Sequence, residues 1–250
     1  MSKAFLTDTT LCIGCRGCQV ACKEWNGLPA EPNTFWGSYE NPRELSARTW
    51  RKVKFVEPDD GPVRWSFSSD TCKHCTQASC LTVCPTGAIY RTEWGAVVVD
   101  DDRCNGCRYC VSACPFKVVA FDEERGRVAK CTFCHERVGQ GLEPACAAVC
   151  PTGAIAFGER AEMLSRAQTR LGVLWDQGAL AARLYGEHEL EGLHNLYVLT
   201  EPPESYGLPR EPRHCVATVF PGSVWSIGAA AAVGLAALVA FRERTGGEEG

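Results

Sequence analysis

The sequence has few of the features on which an enzyme or a nucleic-acid-binding protein usually depends. Its five histidines are scattered, and no nucleophile stands beside a candidate base. The net charge is −4, so no basic excess predicts binding to nucleic acid. The first residues contain neither an apolar signal core nor a twin-arginine pair, and we expect no export signal in the chain itself. We therefore predict a chain that catalyses nothing by itself.

Cysteine, by contrast, is abundant, with 17 residues. The stretch 12–22 has the spacing C-x2-C-x2-C-x3-C, by which bacterial ferredoxins hold [4Fe–4S] clusters. In that pattern the first three thiolates bind one cluster and the fourth binds a neighbouring one. A single run therefore implies a partner run, and this chain supplies three further quartets.

Four quartets account for sixteen of the cysteines and predict four [4Fe–4S] clusters. Three of them are followed at once by proline, which fixes φ and turns the chain out of the loop. The string CPTGAI occurs at 84–89 and again at 150–155, so the unit is an internal repeat. The quartets are Cys12, Cys15, Cys18 and Cys22; Cys72, Cys75, Cys80 and Cys84; Cys104, Cys107, Cys110 and Cys114; and Cys131, Cys134, Cys146 and Cys150.

The length of the chain and the spacing of its cysteines disfavour two other uses of cysteine, disulfides and zinc binding. A disulfide framework is typical of short secreted chains in an oxidising compartment, whereas this chain has 250 residues. Zinc takes two C-x2-C pairs per ion, and three cysteines in C-x2-C-x2-C crowd a tetrahedral site.

Spacing alone does not decide which runs pair. Either the second pairs with the third and the first with the fourth, or the first pairs with the second and the third with the fourth.

The remaining sequence predicts a loop-rich α+β body. We expect a short strand before the first quartet, strands at Arg51–Val56 and 63–67 within an insertion over 23–71, and a hairpin of 88–90 with 96–99. The aromatic residues of the insertion either pack a small core, shield clusters or dock a partner. His74 is predicted to be a loop residue, with a hydrogen bond to a cluster as an option, and we do not assign it as a ligand.

A helix is predicted over 159–184, packed on the cluster body by one apolar stripe. The polar, proline-rich stretch that follows, to residue 213, is expected to be a linker or an extended docking arm. The stripe consists of Met163, Leu164, Ala167, Leu171 and Leu174.

The end of the chain differs in kind, because residues 215–241 carry no charge. A bilayer core of about 30 Å needs about 20 helical residues, and this stretch supplies them. Trp225 is placed where an interfacial aromatic residue would lie. We predict a single transmembrane helix over 214–241 and a polar tail over 242–250. The alternative is a helix buried within a soluble assembly.

These features together resemble the iron–sulfur (beta) subunit of membrane-bound formate dehydrogenases. The resemblance rests on the four quartets, the insertion, the string KCTFC at 130–134, the stretch 185–209 and the single apolar helix. The cysteine pattern alone is similar to that of a wider group. It includes the electron-transfer subunits of dimethyl sulfoxide, polysulfide and nitrate reductases and of some hydrogenases.

The resemblance implies how the runs pair. The outer two runs would form one ferredoxin-like two-cluster unit, over 1–71 and 115–158, and the inner two a second, over 72–114. Nitrate-reductase relatives have tryptophan at one ligand position of the third run, where this chain has Cys107, so four four-iron clusters are implied. The implied ligand sets are Cys12, Cys15, Cys18 and Cys150; Cys131, Cys134, Cys146 and Cys22; Cys72, Cys75, Cys80 and Cys114; and Cys104, Cys107, Cys110 and Cys84.

The resemblance also implies partners. A subunit with a molybdenum or tungsten pterin would oxidise formate, and this chain would pass the electrons to a membrane cytochrome b or other quinone-reacting subunit. The clusters would then lie on the outer face of the cytoplasmic membrane, reached on a partner's signal. The competing hypotheses are a relay subunit of a hydrogenase or sulfur-compound reductase, a soluble polyferredoxin-type carrier, and a zinc-binding interaction module.

Overall fold

The computed structural model describes residues 2–32, 34–57, 65–216, 229–230 and 232–238. The chain divides into two compact units, Met1–Pro212 and Arg213–Gly250. The membrane helix predicted over 214–241 falls mostly outside the described residues. Within the described ranges, none of the helices combines the length and the apolar character that crossing a bilayer requires.

The first unit is an α+β body of short elements joined by long loops. In chain order these are β1 (Lys3–Asp8), α1 (Gly17–Trp25), β2 (Arg51–Val56), β3 (Ser66–Thr71), α2 (Ser79–Thr82), β4 (Ile89–Arg91), β5 (Val97–Val99), α3 (Tyr109–Ala113), β6 (Ala120–Asp122), β7 (Arg127–Ala129), α4 (His135–Gly139), α5 (Ala145–Ala148), β8 (Ile155–Glu159), α6 (Arg160–Asp176), β9 (Arg183–Tyr185) and β10 (Asn195–Leu199).

A four-stranded sheet in the order β8-β1-β10-β9 forms the base of the unit. Strand β1 runs parallel to β10 and antiparallel to β8. Its side chains alternate between two buried faces, as the period of a strand requires. Ala4 and Leu6 pack against α6, whereas Phe5 packs on the opposite face beside Cys18 and Phe133. The sheet thus separates a helix layer from a cysteine layer.

Helix α6 confirms the predicted apolar stripe, because Met163, Ala167, Leu171 and Leu174 are all buried against the sheet. Burying one such large apolar side chain contributes about 1.5–3 kcal/mol. The predicted end of the helix at 184 is wrong. The helix ends at Asp176, because Gly178 adopts a positive φ of 87° and the chain turns back into β9.

The stretch 185–213, expected to be a linker or an arm, contributes a strand to the body instead. Strand β10 lies between β1 and β9, and all five of its residues are buried. Its sequence NLYVL is short and, apart from Asn195, apolar, which is typical of a strand covered on both faces. Because the residues on either side of it are mostly polar, the sequence pattern did not indicate a strand here.

Three two-stranded hairpins complete the unit: β2 with β3, β4 with β5, and β6 with β7. The hairpin predicted at 88–90 and 96–99 is confirmed, with Ile89 opposite Val99. The strand expected at 63–67 is found at Ser66–Thr71, because it pairs along the full length of β2. Residues 63 and 64 lie outside the described part of the chain.

Candidate metal centres

The first C-x2-C pair of each quartet forms a loop, and these four loops share one backbone feature. The residue before the second cysteine of each pair has a positive φ: 68° at Gly14, 46° at His74, 72° at Gly106 and 64° at Phe133. Glycine adopts this conformation freely, whereas histidine and phenylalanine must be held in it by their surroundings. His74 and Phe133 are fully buried, and their rings meet edge to face at 4.7 Å between centroids. The same loop is therefore made in two ways.

The internal repeat in the sequence is a repeat in structure. Gly87 and Gly153, the glycines of the two CPTGAI strings, have φ of 64° and 65°. Both strings lead directly into a strand, β4 at Ile89 and β8 at Ile155. Each string thus carries the chain away from its last cysteine along the same path.

The first group of thiols combines three cysteines of the first run with one from the fourth. Cys12, Cys15, Cys18 and Cys150 line one small cavity. Burial raises the pKa of Cys12 to about 11, and the nearby thiolates of Cys18, Cys150 and Cys15 raise it further. These thiols therefore lie within electrostatic reach of one another, although Cys150 is far away in sequence.

The second group, Cys22, Cys131, Cys134 and Cys146, is buried in its entirety. Burial raises the pKa of Cys22 well above its ordinary value, and the thiolates of Cys131 and Cys146 add to this effect. Burial likewise raises the pKa of Cys146 to about 12. Bringing four thiolates together here without a metal would be costly, because each must lose its proton in a dry, like-charged site.

The third group resembles the first. Cys72, Cys75, Cys80 and Cys114 line a second small cavity, together with His74. Burial raises the pKa of Cys80 to about 12, opposed by the positive charge of Lys130.

The fourth group, Cys84, Cys104, Cys107 and Cys110, contains an exposed thiol, Cys107. Burial raises the pKa of Cys110 to about 11, with contributions from Cys104, Cys107 and Cys84. The structure thus brings the cysteines of each implied set near one another, and two of the sets each line one cavity. The grouping into four clusters stays a prediction, and so does the role of the cysteines as ligands.

The groups lie in a row. Cys18 of the first group and Cys146 of the second belong to one buried cluster, and Cys72 of the third lies with Cys131 of the second in another. Cys80 of the third and Cys110 of the fourth share a further one. The exposed thiols, Cys15 and Cys107, belong to the two end groups, whereas the cysteines of the two middle groups are buried or half-buried.

Buried nitrogen atoms near the cysteine groups indicate whether an iron–sulfur cluster fits there, because such a cluster can accept their hydrogen bonds. Three buried side-chain nitrogens of the described residues have no hydrogen-bond partner: Arg51 Nη2, His74 Nε2 and His135 Nδ1. The backbone N–H of Val97 donates to His74 Nδ1 at 3.0 Å, so the proton of this ring is on Nε2. Buried donors are rarely left unpaired in proteins, and the sulfurs of an iron–sulfur cluster accept hydrogen bonds.

All three orphaned nitrogens lie beside the cysteine groups, since His74 and His135 are next to Cys75 and Cys134 in sequence and Ser69 links Arg51 to Cys18. No three His, Cys, Asp or Glu side chains of the described ranges are close enough to hold a single metal ion. Two of the groups surround a cavity instead. The residues present therefore fit a group with several irons and acceptor sulfurs.

Positive charge is also buried among the groups. Lys73 pairs with Asp70, and Lys130 Nζ donates to the carbonyls of Val97 and Cys131. Burial opposes ionisation of Asp70, but Lys73 and Lys54 lower its pKa to about 2. Sequence analysis missed Arg51 and Lys130. Arg51 lies in a short, half-polar strand and Lys130 directly follows β7. Charged residues in such places are expected to face solvent, so the sequence carried no signal of their burial.

Two family models, each described as a 4Fe-4S dicluster domain, match residues 11–88 and 63–160. A formate dehydrogenase, nitrate-inducible, iron-sulfur subunit of Escherichia coli (strain K12) is 43% identical over 215 residues, which cover 84% of this chain and 73% of the relative.

Two further relatives are also formate dehydrogenase subunits. The formate dehydrogenase-O iron-sulfur subunit of the same organism is 40% identical over 95% of this chain and 80% of its own length. The formate dehydrogenase 2 subunit beta (cytochrome c-553) of Nitratidesulfovibrio vulgaris is 37% identical over 82% of this chain and 97% of its own length. The two dicluster matches imply four [4Fe–4S] clusters.

Proposed function

This chain belongs to the family of formate dehydrogenase iron–sulfur subunits, and we propose that it carries electrons through its row of clusters from a formate-oxidising subunit to a membrane subunit. The observation that carries the proposal is the arrangement of sixteen cysteines in four adjoining groups. Only the two end groups contain an exposed thiol. A row with accessible ends and a dry middle is suited to moving charge between two partners.

We assign the ligands from this arrangement. Cys12, Cys15, Cys18 and Cys150 would hold the cluster at one end, and Cys84, Cys104, Cys107 and Cys110 the cluster at the other. Cys22, Cys131, Cys134 and Cys146 would hold the second cluster, and Cys72, Cys75, Cys80 and Cys114 the third. When bound, a [4Fe–4S] cluster supplies one-electron transfer at a potential set by hydrogen bonds, burial and nearby charge.

The remaining residues of the chain hold and shield these thiolates. The positive-φ residues of the C-x2-C loops curl the backbone round each group. Phe5, Phe133 and Phe157 contact one another at 4.9–5.4 Å between ring centroids and fill the space beside Cys18 and Cys146. They keep water out of the middle of the row, which strengthens every electrostatic interaction there.

Two partners follow from the proposal. Membership of the family implies a catalytic subunit, and we propose that this subunit holds molybdenum or tungsten on a pterin. We propose a cytochrome b or other quinone-reacting subunit as the electron acceptor, in contact with the lipid bilayer. The outer face of the cytoplasmic membrane as the location of the clusters stays a prediction from the resemblance.

The central experiment is anaerobic purification of the full chain with its catalytic subunit, followed by iron and sulfide analysis and EPR after addition of formate. We expect about sixteen irons per chain, from four clusters of four irons, and EPR signals of reduced clusters that depend on formate. A colourless chain that contains zinc would contradict the proposal. So would clusters that dithionite reduces but formate does not.

The ligand assignment has its own test in two cysteines of one short segment. Cys146 and Cys150 are four residues apart, yet we assign them to the second and first groups. Cys146→Ser and Cys150→Ser should each remove a cluster, and the two variants should lose different EPR signals. Loss of the same signal in both would show that the cysteines of the fourth run bind together.

Membrane association is tested by fractionation without detergent. The full chain and a variant that ends at Pro212, the boundary of the first compact unit, are compared in cells that contain the partners. We expect the full chain in the membrane fraction and the shortened chain to be released in part. Equal distribution of the two would remove residues 213–250 from the anchor.

A further inference from the structure

A single arginine is buried where the first two cysteine groups meet. Arg51 lies in β2, and its side chain is 1% exposed. Its Nη1 donates to Ser69 Oγ at 2.8 Å, and Ser69 Oγ lies 3.3 Å from the sulfur of Cys18. The guanidinium also stacks over the ring of Phe5, 5.1 Å from its centroid. Its Nη2 has no partner at all among the described residues.

The next residue along the strand shows what is unusual about this position. Lys52 is buried too, but its Nζ lies 2.6 Å from a carboxylate oxygen of Glu40. Lys73 is likewise paired with Asp70. Within the described residues, no carboxylate pairs with Arg51. A cation buried without a counter-charge is strongly unfavourable, so some other negative charge must compensate it.

Cysteines of both groups lie around it, because Ser69 joins it to Cys18 and the ring of Phe5 beneath it belongs to one buried cluster with Cys18 and Cys146. As ligands of clusters these cysteines are thiolates and carry negative charge. Burial disfavours the charged guanidinium, but the thiolates of Cys146, Cys18 and Cys131 raise the pKa of Arg51 above its ordinary value. One guanidinium therefore acts on both groups.

We propose that Arg51 is the shared positive counter-charge of the clusters held by the first and second cysteine groups, and that it favours their reduced state. This inference rests on the proposed function, since it needs clusters at both groups. One-electron reduction adds one negative charge to such a site, breaks no bond and needs no proton. A fixed cation nearby offsets that charge, and the low dielectric of a dry site makes its effect large. Arg51 is a positioning and charge-setting residue rather than a ligand.

The test is a potentiometric titration of the full chain in its complex, with dithionite as the reductant and EPR as the readout. Arg51→Gln removes the charge and retains a polar side chain. We expect the ratio of reduced to oxidised cluster at a fixed ambient potential to fall at least tenfold for two of the four clusters. For a one-electron couple, tenfold corresponds to a shift of about 59 mV. The other two clusters should change less than twofold.

Two matched variants separate charge from structure. Arg51→Lys keeps the positive charge but loses the planar fork, and it should restore the ratios to within a fewfold of the wild type. Lys52→Gln combined with Glu40→Gln removes a buried cation from the same strand together with its counter-charge, and it should leave all four ratios unchanged. Iron analysis of every variant accompanies the titration.

The outcomes are distinct. If the wild type lacks iron, the proposed function itself is wrong, and the role of Arg51 falls with it. If Arg51→Gln retains about sixteen irons and all four ratios match the wild type, the inference is overturned. If Arg51→Gln cannot be loaded, Arg51→Lys decides. Loading with near wild-type ratios supports the requirement for charge, and failure to load shows that arginine is needed for its shape, which overturns the inference.

Discussion

The end groups and the middle groups of the cysteine row are made from the same loop and enclosed by different residues. At the ends, Gly14 and Gly106 supply the positive φ, and one thiol in each group is exposed. In the middle, His74 and Phe133 take the same conformation, and their buried rings contact each other. The loop conformation is common to all four groups, whereas the residue inside it is glycine at the ends and a buried ring in the middle. We therefore distinguish two roles: the shared loop conformation positions the thiols, and the buried rings of His74 and Phe133 shield the middle groups from solvent.

The largest effect should come from removing one thiol in each kind of group. Cys146→Ser in the buried second group and Cys107→Ser in the exposed fourth group should each lower the iron content from about sixteen to about twelve per chain. Cys146→Ser should also lower the Tm more, because it leaves three thiols buried without a metal whose binding stabilises the fold. Iron analysis and anaerobic thermal denaturation followed by circular dichroism measure the two effects.

Equal Tm values for these two serine variants would contradict the distinction between a dry middle and open ends. Full iron content in Cys107→Ser would remove that residue from the ligands.

The next largest effect should come from removing the buried ring of Phe133, which contacts His74 in the loop of the third group. Phe133→Ala should cost about 3–5 kcal/mol in the free energy of unfolding, because a fully buried aromatic side chain that contacts Phe5, Phe157 and His74 is lost. Ile13, in the corresponding loop at one end, is exposed, and Ile13→Ala should cost no more than about 0.5 kcal/mol. Denaturant titration of the two variants gives the comparison, and similar costs would refute it.

A smaller effect should separate the two end loops from each other. A Cβ at Gly106 would lie 2.3 Å from the backbone oxygen of Gly126, whereas a Cβ at Gly14 would lie 2.9 Å from the side chain of Phe67. Both positions have a positive φ, which costs an alanine about 1–3 kcal/mol. Gly106→Ala should be the more destabilising, because a ring can shift and a backbone cannot. The Tm of each variant checks the order, and the reverse order would contradict it.

The smallest effect is expected at the surface of the fourth group. Arg108 and Glu123 form an exposed ion pair at 2.9 Å. Exposed pairs contribute little, so Glu123→Gln should change the free energy of unfolding by no more than about 0.5 kcal/mol. The iron content and the potentials of all four clusters should remain those of the wild type. A larger loss would mean that this surface is part of the structure that holds the end group.

Much of the candidate site could be predicted from the sequence because its information is local. Spacing within a run constrains the loop, and the repeated string CPTGAI predicted a repeated turn that Gly87 and Gly153 both make. The stripe of α6 was equally readable, since helical periodicity is visible within one segment. Strand β10 was not, because four consecutive apolar residues within a polar stretch carry little signal without the neighbouring strands that bury them.

The sequence by itself determined the chemistry: sixteen thiols at cluster spacing, in four runs. Only the tertiary structure decided which thiols face one another, because Cys150 meets Cys12 only after β8 has paired with β1. The tertiary structure also placed Arg51 in the interior, although its strand reads as half-polar. Bond geometry acts between near neighbours and is visible in spacing. The burial of a side chain and the charges around it depend on contacts with residues far away in sequence. A local sequence pattern does not reveal those contacts.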